Sequence, residues 1–210
     1  MKLIIFTMLL ALNNVYADLS GDLFTGKTCN PTGMPALIKM YDNFNKEMIS
    51  AEFIHKSFVK TLNKELLCRG KMIFIPDKGI FWETTSPYNQ CLYITKNGEV
   101  FEKDKPDPVG VFRYGSLMSE MIHSGADKLS EAFELYFIEN GSNWFLGLKP
   151  KKRAMNKFIN KIIIAGNLDG KINKVSILGE EIEIAEISFQ NHQSPPIEEV
   201  NRVHGIFNQK

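Results

Sequence analysis

The chain has 210 residues, 44% of them hydrophobic, with 25 Lys and Arg against 24 Asp and Glu for a formal net charge of +1. That length suits one core rather than two domains of ordinary size, and the hydrophobic share, rich in Phe and Met, argues against disorder. The near-neutral balance gives no general attraction to nucleic acid or to an anionic surface.

At the start, Lys2 precedes an apolar run from Leu3 to Leu12, and Val15-Tyr16-Ala17 offers a small-residue cleavage site before Asp18. Residues 1–17 are therefore expected to be a signal peptide, with a single domain over 18–210 that works in the periplasm. The apolar run is about half of the roughly 20 residues a spanning helix needs, and Asp18 stands where an acylated anchor would need a cysteine. Cys29, Cys68 and Cys91 then sit in a compartment that permits disulfides, so one pair and one free thiol are expected. A zinc site is disfavoured, because the cysteines are widely separated and no histidine lies at ligand spacing from any of them.

From Met34 to Ile49, the residues Met34, Leu37, Ile38, Tyr41, Phe44 and Met48 recur at three- and four-residue steps, which predicts an amphipathic helix with Thr32 placed to cap it. From Ser50 the period changes to two. Ala51 and Phe53, then Leu66, Cys68, Gly70, Met72 and Phe74, alternate as in half-buried strands, with a break near Asn63. Pro76-Asp77-Lys78-Gly79 is a turn by composition, followed by strands over 80–85 and 91–95, a hairpin signal at Asn97-Gly98 and a strand over 99–103.

The charged, proline-rich stretch EKDKPDPVG leaves the sheet. After it, Leu117, Met118, Met121 and Ile122 mark one side of a short helix within 112–125. Strands resume over 133–139, turn at Asn140-Gly141, and continue over 143–148, 157–165, 172–178 and 183–190, with a turn at Asp169-Gly170. Beyond Pro195-Pro196, Ile197, Val200, Val203 and Phe207 predict a C-terminal helix. The inventory is an α+β, mainly β, chain of about ten to eleven antiparallel strands. Adjacent strands twist by roughly 20°, so so many of them curl into an unclosed half-barrel, and the few helices are its lid.

Recognisable catalytic spacing is missing: there is no HExxH pair, GxSxG elbow, phosphate-binding loop or CxxC. No enzymatic activity, metal or cofactor is expected. A lipid hydrolase would need a nucleophile and base in contact, for which Ser116, Ser119 and His123 are the nearest candidates. His55 reads as a solvated edge residue, Asn140-Gly141-Ser142 as a turn rather than a glycosylation acceptor, and Lys149-Pro150-Lys151-Lys152-Arg153 as a solvated loop.

The candidate site is the apolar interior. Phe53, Leu66, Met72, Phe74, Ile80, Trp82 and Leu92 in the first half, and Phe133, Leu135, Phe137, Trp144, Leu146 and Leu148 in the second, occupy alternating strand positions that would share one face. Such stripes usually pack as an ordinary core. A thin cover rich in Met, however, suits a cavity that re-packs around an acyl chain, so Leu117, Met118, Met121 and Ile122 join the lipid-binding set. The alternative is a non-catalytic scaffold whose half-barrel is filled by its own side chains.

The stretches AEFIHKSF, LLCRGKMIFIPDKGIFWETTSPYNQCLYITKNGEVF, ENGSNWFLGLKPKK, FINKIIIAGNLDGKINKVSIL and IEIAEISFQN, in this order from about Met34 to Phe207, resemble the LolA-like outer-membrane lipoprotein carriers. The most specific parts are Gly79-Ile80-Phe81-Trp82 followed by Pro87, and the later Trp144, Leu148, Pro150, Lys151 series. The resemblance implies an unclosed β-barrel with a helical lid, acting as a monomer. It would take acyl chains of a lipoprotein from an inner-membrane transporter and pass them to an outer-membrane receptor, with no covalent chemistry. Carriers of that family have a lid-pinning arginine a few residues before the tryptophan, whereas here Ile75-Pro76-Asp77-Lys78 fills that region. With three cysteines also outside the family pattern, the chain looks closer to LolA-like paralogues of glycolipid or polyene-lipid pathways, whose cargo is a lipid.

Overall fold

A computed structural model describes residues 22–29, 34–59, 63–102, 119, 121–123, 125–153, 159–179 and 183–207. Helix α1 (Pro35–Lys46) leads into five strands in sequence: β1 (Ile49–Val59), β2 (Lys64–Ile75), β3 (Gly79–Ser86), β4 (Gln90–Thr95) and β5 (Val100–Glu102). Helix α2 (Gly125–Ala132) precedes five more, β6 (Phe133–Asn140), β7 (Asn143–Pro150), β8 (Lys161–Asn167), β9 (Ile172–Leu178) and β10 (Glu183–Gln193), and helix α3 (Ile197–Phe207) follows. All ten strands form one antiparallel sheet in the order β5-β4-β3-β2-β1-β10-β9-β8-β7-β6. The sheet is not closed, as the curled-sheet expectation required.

Two meanders thus meet at the β1–β10 pair, with Phe53 opposite Phe189. The turns that make each meander compact are those the composition marked. Asp77 (φ 59°) lies between β2 and β3 and Gly79 (φ 137°) opens β3, Gly98 (φ 82°) lies between β4 and β5, Gly141 (φ 61°) between β6 and β7, and Gly170 (φ 76°) between β8 and β9, positive-φ positions that suit Gly, Asn and Asp.

The topology also dictates a crossing. β5 ends at one margin of the sheet and β6 begins at the other, and the described residues between them, Ser119, 121–123 and α2, form a crossing segment. The described parts of that connection, Met121, Ile122 and Leu129, are buried in the same cluster as the inward side chains of β1–β4 and β6–β10. α1 lies in that cluster too, through Ala36, Leu37, Met40, Tyr41 and Phe44. The concave face is therefore covered by α1 and by the crossing segment.

The convex face has its own covers. Val203 of α3 packs on Ile73, Ile75, Phe81 and Tyr93, and Arg202 reaches Glu83 at 3.8 Å while lying 5.0 Å over the Phe81 ring. At the other end, Leu23 joins Tyr136, Phe145 and Ile163. Gly147 makes room for this: a Cβ there would meet the Phe24 ring at 2.8 Å.

Several sequence expectations need correction. α1 starts at Pro35 behind Met34, which makes no side-chain cap bond; Thr32 lies outside the described residues. The helix ends at Lys46, so Met48 is past it, and Ile38 is 46% exposed on the outer side. α2 was not expected at all. β8 begins at Lys161 rather than at 157, and β10 runs on to Gln193. His55 sits on a central strand beside Trp82, ring centroids 6.5 Å apart, not on a solvated edge.

None of the three cysteines is in a disulfide, against the expected pair. Cys68 shares the parity of Met72 and Phe74 and faces inward, whereas Cys91 shares the parity of Tyr93 and faces outward. Cys29 lies across the sheet, its N–H and S–H both donating to the Leu135 carbonyl.

Candidate functional site

The inward face is built by parity. Odd positions of β1, β6, β9 and β10 and even positions of β2, β3, β4, β7 and β8 point into one cluster, and the register sets them side by side. Met72 lies opposite Trp82, Trp82 opposite Leu92, and Leu146 opposite Ile164, which in turn faces Val175. Gly70, opposite Phe53, leaves the space into which the Phe53 ring goes. Trp82 stacks on that ring with centroids 3.8 Å apart and planes 24° from parallel. Trp144 lies over the bare Gly166, and its indole N–H donates to the Asn167 carbonyl at 2.6 Å, so its one polar group is satisfied.

Of the residues singled out in the sequence, Phe53, Met72, Phe74, Ile80, Trp82, Leu92, Met121, Ile122, Phe133, Leu135, Trp144, Leu146 and Leu148 are buried in this single cluster. Phe137 is half-buried against it and stacks on Trp144. Leu66 has the right parity but is half-buried near the far end of β2, outside the cluster. Leu117 and Met118 lie outside the described residues.

A cavity of about 40 Å³ sits where the two covers meet the sheet. Its walls are Met40, Tyr41 and Phe44 of α1, Met121, Ile122 and Leu129 of the crossing segment, and Ile49, Met72, Leu146, Ile164, Val175 and Phe189 of the sheet, with Gly170, Lys171, Ile172 and His192 at one corner. That space holds about three waters at ~10–15 Å³ each and is far below the ~300–1,000 Å³ of pockets for larger ligands. The roomy hollow expected from the sequence is thus filled, and filled by α1: Phe44 meets Phe74 edge to face at 4.9 Å. Four expected residues border the remaining space, Met72, Met121, Ile122 and Leu146.

Sequence reasoning missed the walls that α1 contributes. Its spacing identified Tyr41 and Phe44 as a buried face but carried no signal that this face lies inside the half-barrel. It also missed Leu129, the one buried apolar residue visible on α2, and the polar corner.

Among the described residues, few polar ties hold the covers. The Tyr41 hydroxyl donates to the Met121 carbonyl at 3.0 Å, and burial pushes the phenol well above its ordinary range, so it remains a donor. On the other flank, Asn43 Nδ2 donates to the Asp169 carbonyl at 2.8 Å, and Lys39 lies 3.9 Å from the Asp169 carboxylate.

Ser119 and His123 do come together. Ser119 Oγ is 3.2 Å from His123 Nδ1, but it donates to the Thr95 carbonyl at 2.7 Å, and Nδ1 also faces the Ser119 carbonyl at 3.0 Å. An Nδ1–H directed to that carbonyl is no base for the serine, and Nε2 is buried with no hydrogen-bond partner. The pair fastens the crossing segment to the end of β4 and lacks the proton-accepting geometry of a nucleophile and base. Among the described residues, no group of His, Cys, Asp or Glu could hold a metal ion, and no helix is long and apolar enough to cross a membrane.

Fold and site together define an open, single-sheet half-barrel with an apolar concave face under a two-part helical cover. No protein-family model matches the chain, and no curated protein matches it in sequence. Solved structures share the fold. The crystal structure of MucB matches with a TM-score of 0.51 at 8% identity, over 78% of this chain and 60% of that one, so the chain spans about three-fifths of that protein's length. The Pseudomonas aeruginosa MucA/MucB complex matches at 0.48, with 10% identity over 79% of this chain and 59% of that one. A LolA superfamily protein from Nitrosomonas europaea matches at 0.38, with 9% identity over 78% of this chain and 94% of that one. At 8% identity the likeness to MucB is one of fold alone.

Proposed function

We propose that this chain is a non-catalytic carrier of acyl chains, whose seat on the concave sheet face is closed by α1 and the crossing segment until a guest displaces them. The observation that carries this reading is the position of the cavity. It opens at the seam between covers and sheet, among adaptable Met and Phe side chains, and among the described residues few polar bonds tie the covers there.

The energetics of opening favour exchange. Each acyl CH₂ buried contributes about 0.8 kcal/mol, so a guest that replaces the α1 side chains restores the apolar contacts their departure breaks. What remains to be overcome among the described residues is a handful of hydrogen bonds, each of about 1 kcal/mol net.

The resemblance to LolA-like carriers supplies the wider setting of this proposal. Residues 1–17 act as a cleavable leader, the mature domain works as a monomer in the periplasm, and the cargo is an acylated lipoprotein or a glycolipid. An inner-membrane transporter and an outer-membrane receptor stand at either end of the route.

A second reading is a partner-binding scaffold with a self-filled interior. The small cavity favours it, as does the MucB structure, a fold match that is also known in complex with MucA.

Native mass spectrometry of the mature protein, with titration of the neutral apolar dye N-phenyl-1-naphthylamine, separates the two readings. A co-purified lipid mass, or saturable dye binding that acylated ligands reverse, is the expected result. Protein that carries no lipid and binds neither the dye nor any palmitoyl ligand overturns the carrier and leaves the scaffold.

A further inference from the structure

This inference rests on the carrier reading and concerns the head of the cargo rather than its tail. The cavity wall is apolar except near one corner, where Lys171 follows the Gly170 turn and His192 stands on β10; among the described residues, no carboxylate borders the space. Lys171 is exposed, so its stem lines the cavity while its ammonium stays in water. The nearby Asp169 carboxylate is taken by Lys39. Among the described residues, no carboxylate lies within ion-pair reach of the Lys171 ammonium.

His192 points the same way. Its Nε2–H donates to the Ile172 carbonyl at 2.8 Å, which leaves Nδ1 without a hydrogen-bond partner among the described residues. Burial, and then the neighbouring Lys171 ammonium, hold its imidazole below the ordinary histidine range, against the pull of that carbonyl. His192 is thus held neutral while the corner is empty, and an anion there would favour a proton on Nδ1, turning it into a donor beside the Lys171 ammonium; the described residues of the cavity wall supply no negative charge. A small number of polar groups at the mouth of an apolar pocket is what fixes a ligand's orientation.

We propose that Lys171 and His192 form the head-group site for an anionic amphiphile, a carboxylate- or phosphate-headed acyl chain whose tail enters past Ile172 and Val175. The head stays at the exposed β8–β9 turn and the tail runs towards Leu146 and Met72. The turn that bears Lys171 also holds α1 through Asn43, so an anion drawn to this corner arrives at the seam the tail must open.

The test is displacement of N-phenyl-1-naphthylamine from the mature protein by three ligands with one chain length, all below their micellar concentrations. These are palmitate, 1-palmitoyl lysophosphatidate and monopalmitoylglycerol. Both anionic ligands are expected to displace the dye at concentrations about fivefold lower than the neutral one, the scale of an exposed ion pair, and the two of them rank carboxylate against phosphate. Lys171→Gln should bring all three ligands within about twofold of one another while leaving monopalmitoylglycerol unchanged. Lys46→Gln, on the exposed end of α1, should keep the preference.

Equal displacement by neutral and anionic ligands overturns the head-group site and leaves the carrier reading intact. So does a preference that survives both Lys171→Gln and the double variant with His192→Gln. If the dye does not bind and no palmitoyl ligand does, the carrier reading falls and this site falls with it.

Discussion

Tyr41 and Met121 join the two covers to each other: the phenol of α1 donates to the backbone carbonyl of the crossing segment at 3.0 Å, in a buried setting. Tyr41→Phe keeps the ring and removes the bond. The expected loss is about 1 kcal/mol, a fall of roughly 2–4 °C in Tm for a chain of this size, together with faster uptake of an apolar dye in stopped-flow fluorescence. A variant with lower Tm and unchanged uptake rate would show that this bond stabilises the fold without holding the covers shut.

Gly170 fixes how closely the β8–β9 turn approaches α1. A Cβ there would lie 2.9 Å from the Lys39 carbonyl carbon and the Met40 nitrogen, and φ is +76°. Gly170→Ala therefore combines a left-handed backbone, which costs a side-chain residue about 1–2 kcal/mol, with contact against helix backbone that cannot rotate aside. The variant should lose at least that much stability in urea unfolding and show faster hydrogen exchange at α1 amides than at the β3 and β4 ladders. Uniformly faster exchange would mean that α1 does not open separately.

The thiols give a chemical prediction. Burial raises the Cys29 thiol above its ordinary pKa despite a lowering contribution from its own backbone amide, and burial raises Cys68 despite its bond to Tyr88, so little thiolate is present at neutral pH. Folded protein should alkylate slowly at Cys29 and Cys68, and unfolded, unreduced protein should take up three labels by mass spectrometry. An intact mass lower by two hydrogens, with one label only, would establish the disulfide that the structure does not have.

Acid should weaken the fold. His55, His123 and His192 are each held below the ordinary histidine value of 6.5 with burial as the largest cause. A lowered value means the unfolded chain binds more protons, so this contribution is complete above about pH 6.5 and is lost as pH falls through the folded-state values. Glu186 acts in the same sense at lower pH. Burial alone would raise it, but Lys174 and Lys56 outweigh burial and hold it below 4.5, so its share is lost as pH drops through that lowered value. Urea midpoints should decline steadily from about pH 7 to pH 4; a flat profile down to about pH 5 would contradict the histidine contribution.

The sheet was legible because it is made of short-range signals. Period-two alternation and turn residues such as Asn97-Gly98 and Asp169-Gly170 located nearly every strand, and the parity of Trp82 and Leu146 placed them on one face. Other features depend on distant partners and left no local mark. GADKLSEA is polar apart from Leu129 and two alanines, so α2 has too little apolar periodicity to announce itself. Ile38 and Met48 fit a helical spacing, yet Ile38 is turned outward and Met48 falls beyond the last turn. Leu66 alternates correctly with Met72 but is only half-buried and lies outside the inward cluster. Above all, the pattern of α1 is the same for a helix lying across a mouth and for one sunk into it, and that difference decides how much room remains inside.

The meeting of the two meanders at β1 and β10 bears on kinetics. Every other ladder joins strands adjacent in sequence, whereas Phe53 must find Phe189 across most of the chain. Loop-closure entropy makes such a distant pairing slow, while neighbouring hairpins zip locally. Each half is thus expected to collapse early with one raw, unpaired border, and until those borders dock the nascent molecule presents two sticky templates to any other strand nearby. A polypeptide of this topology has reason to need protection during its own assembly, whatever it later protects.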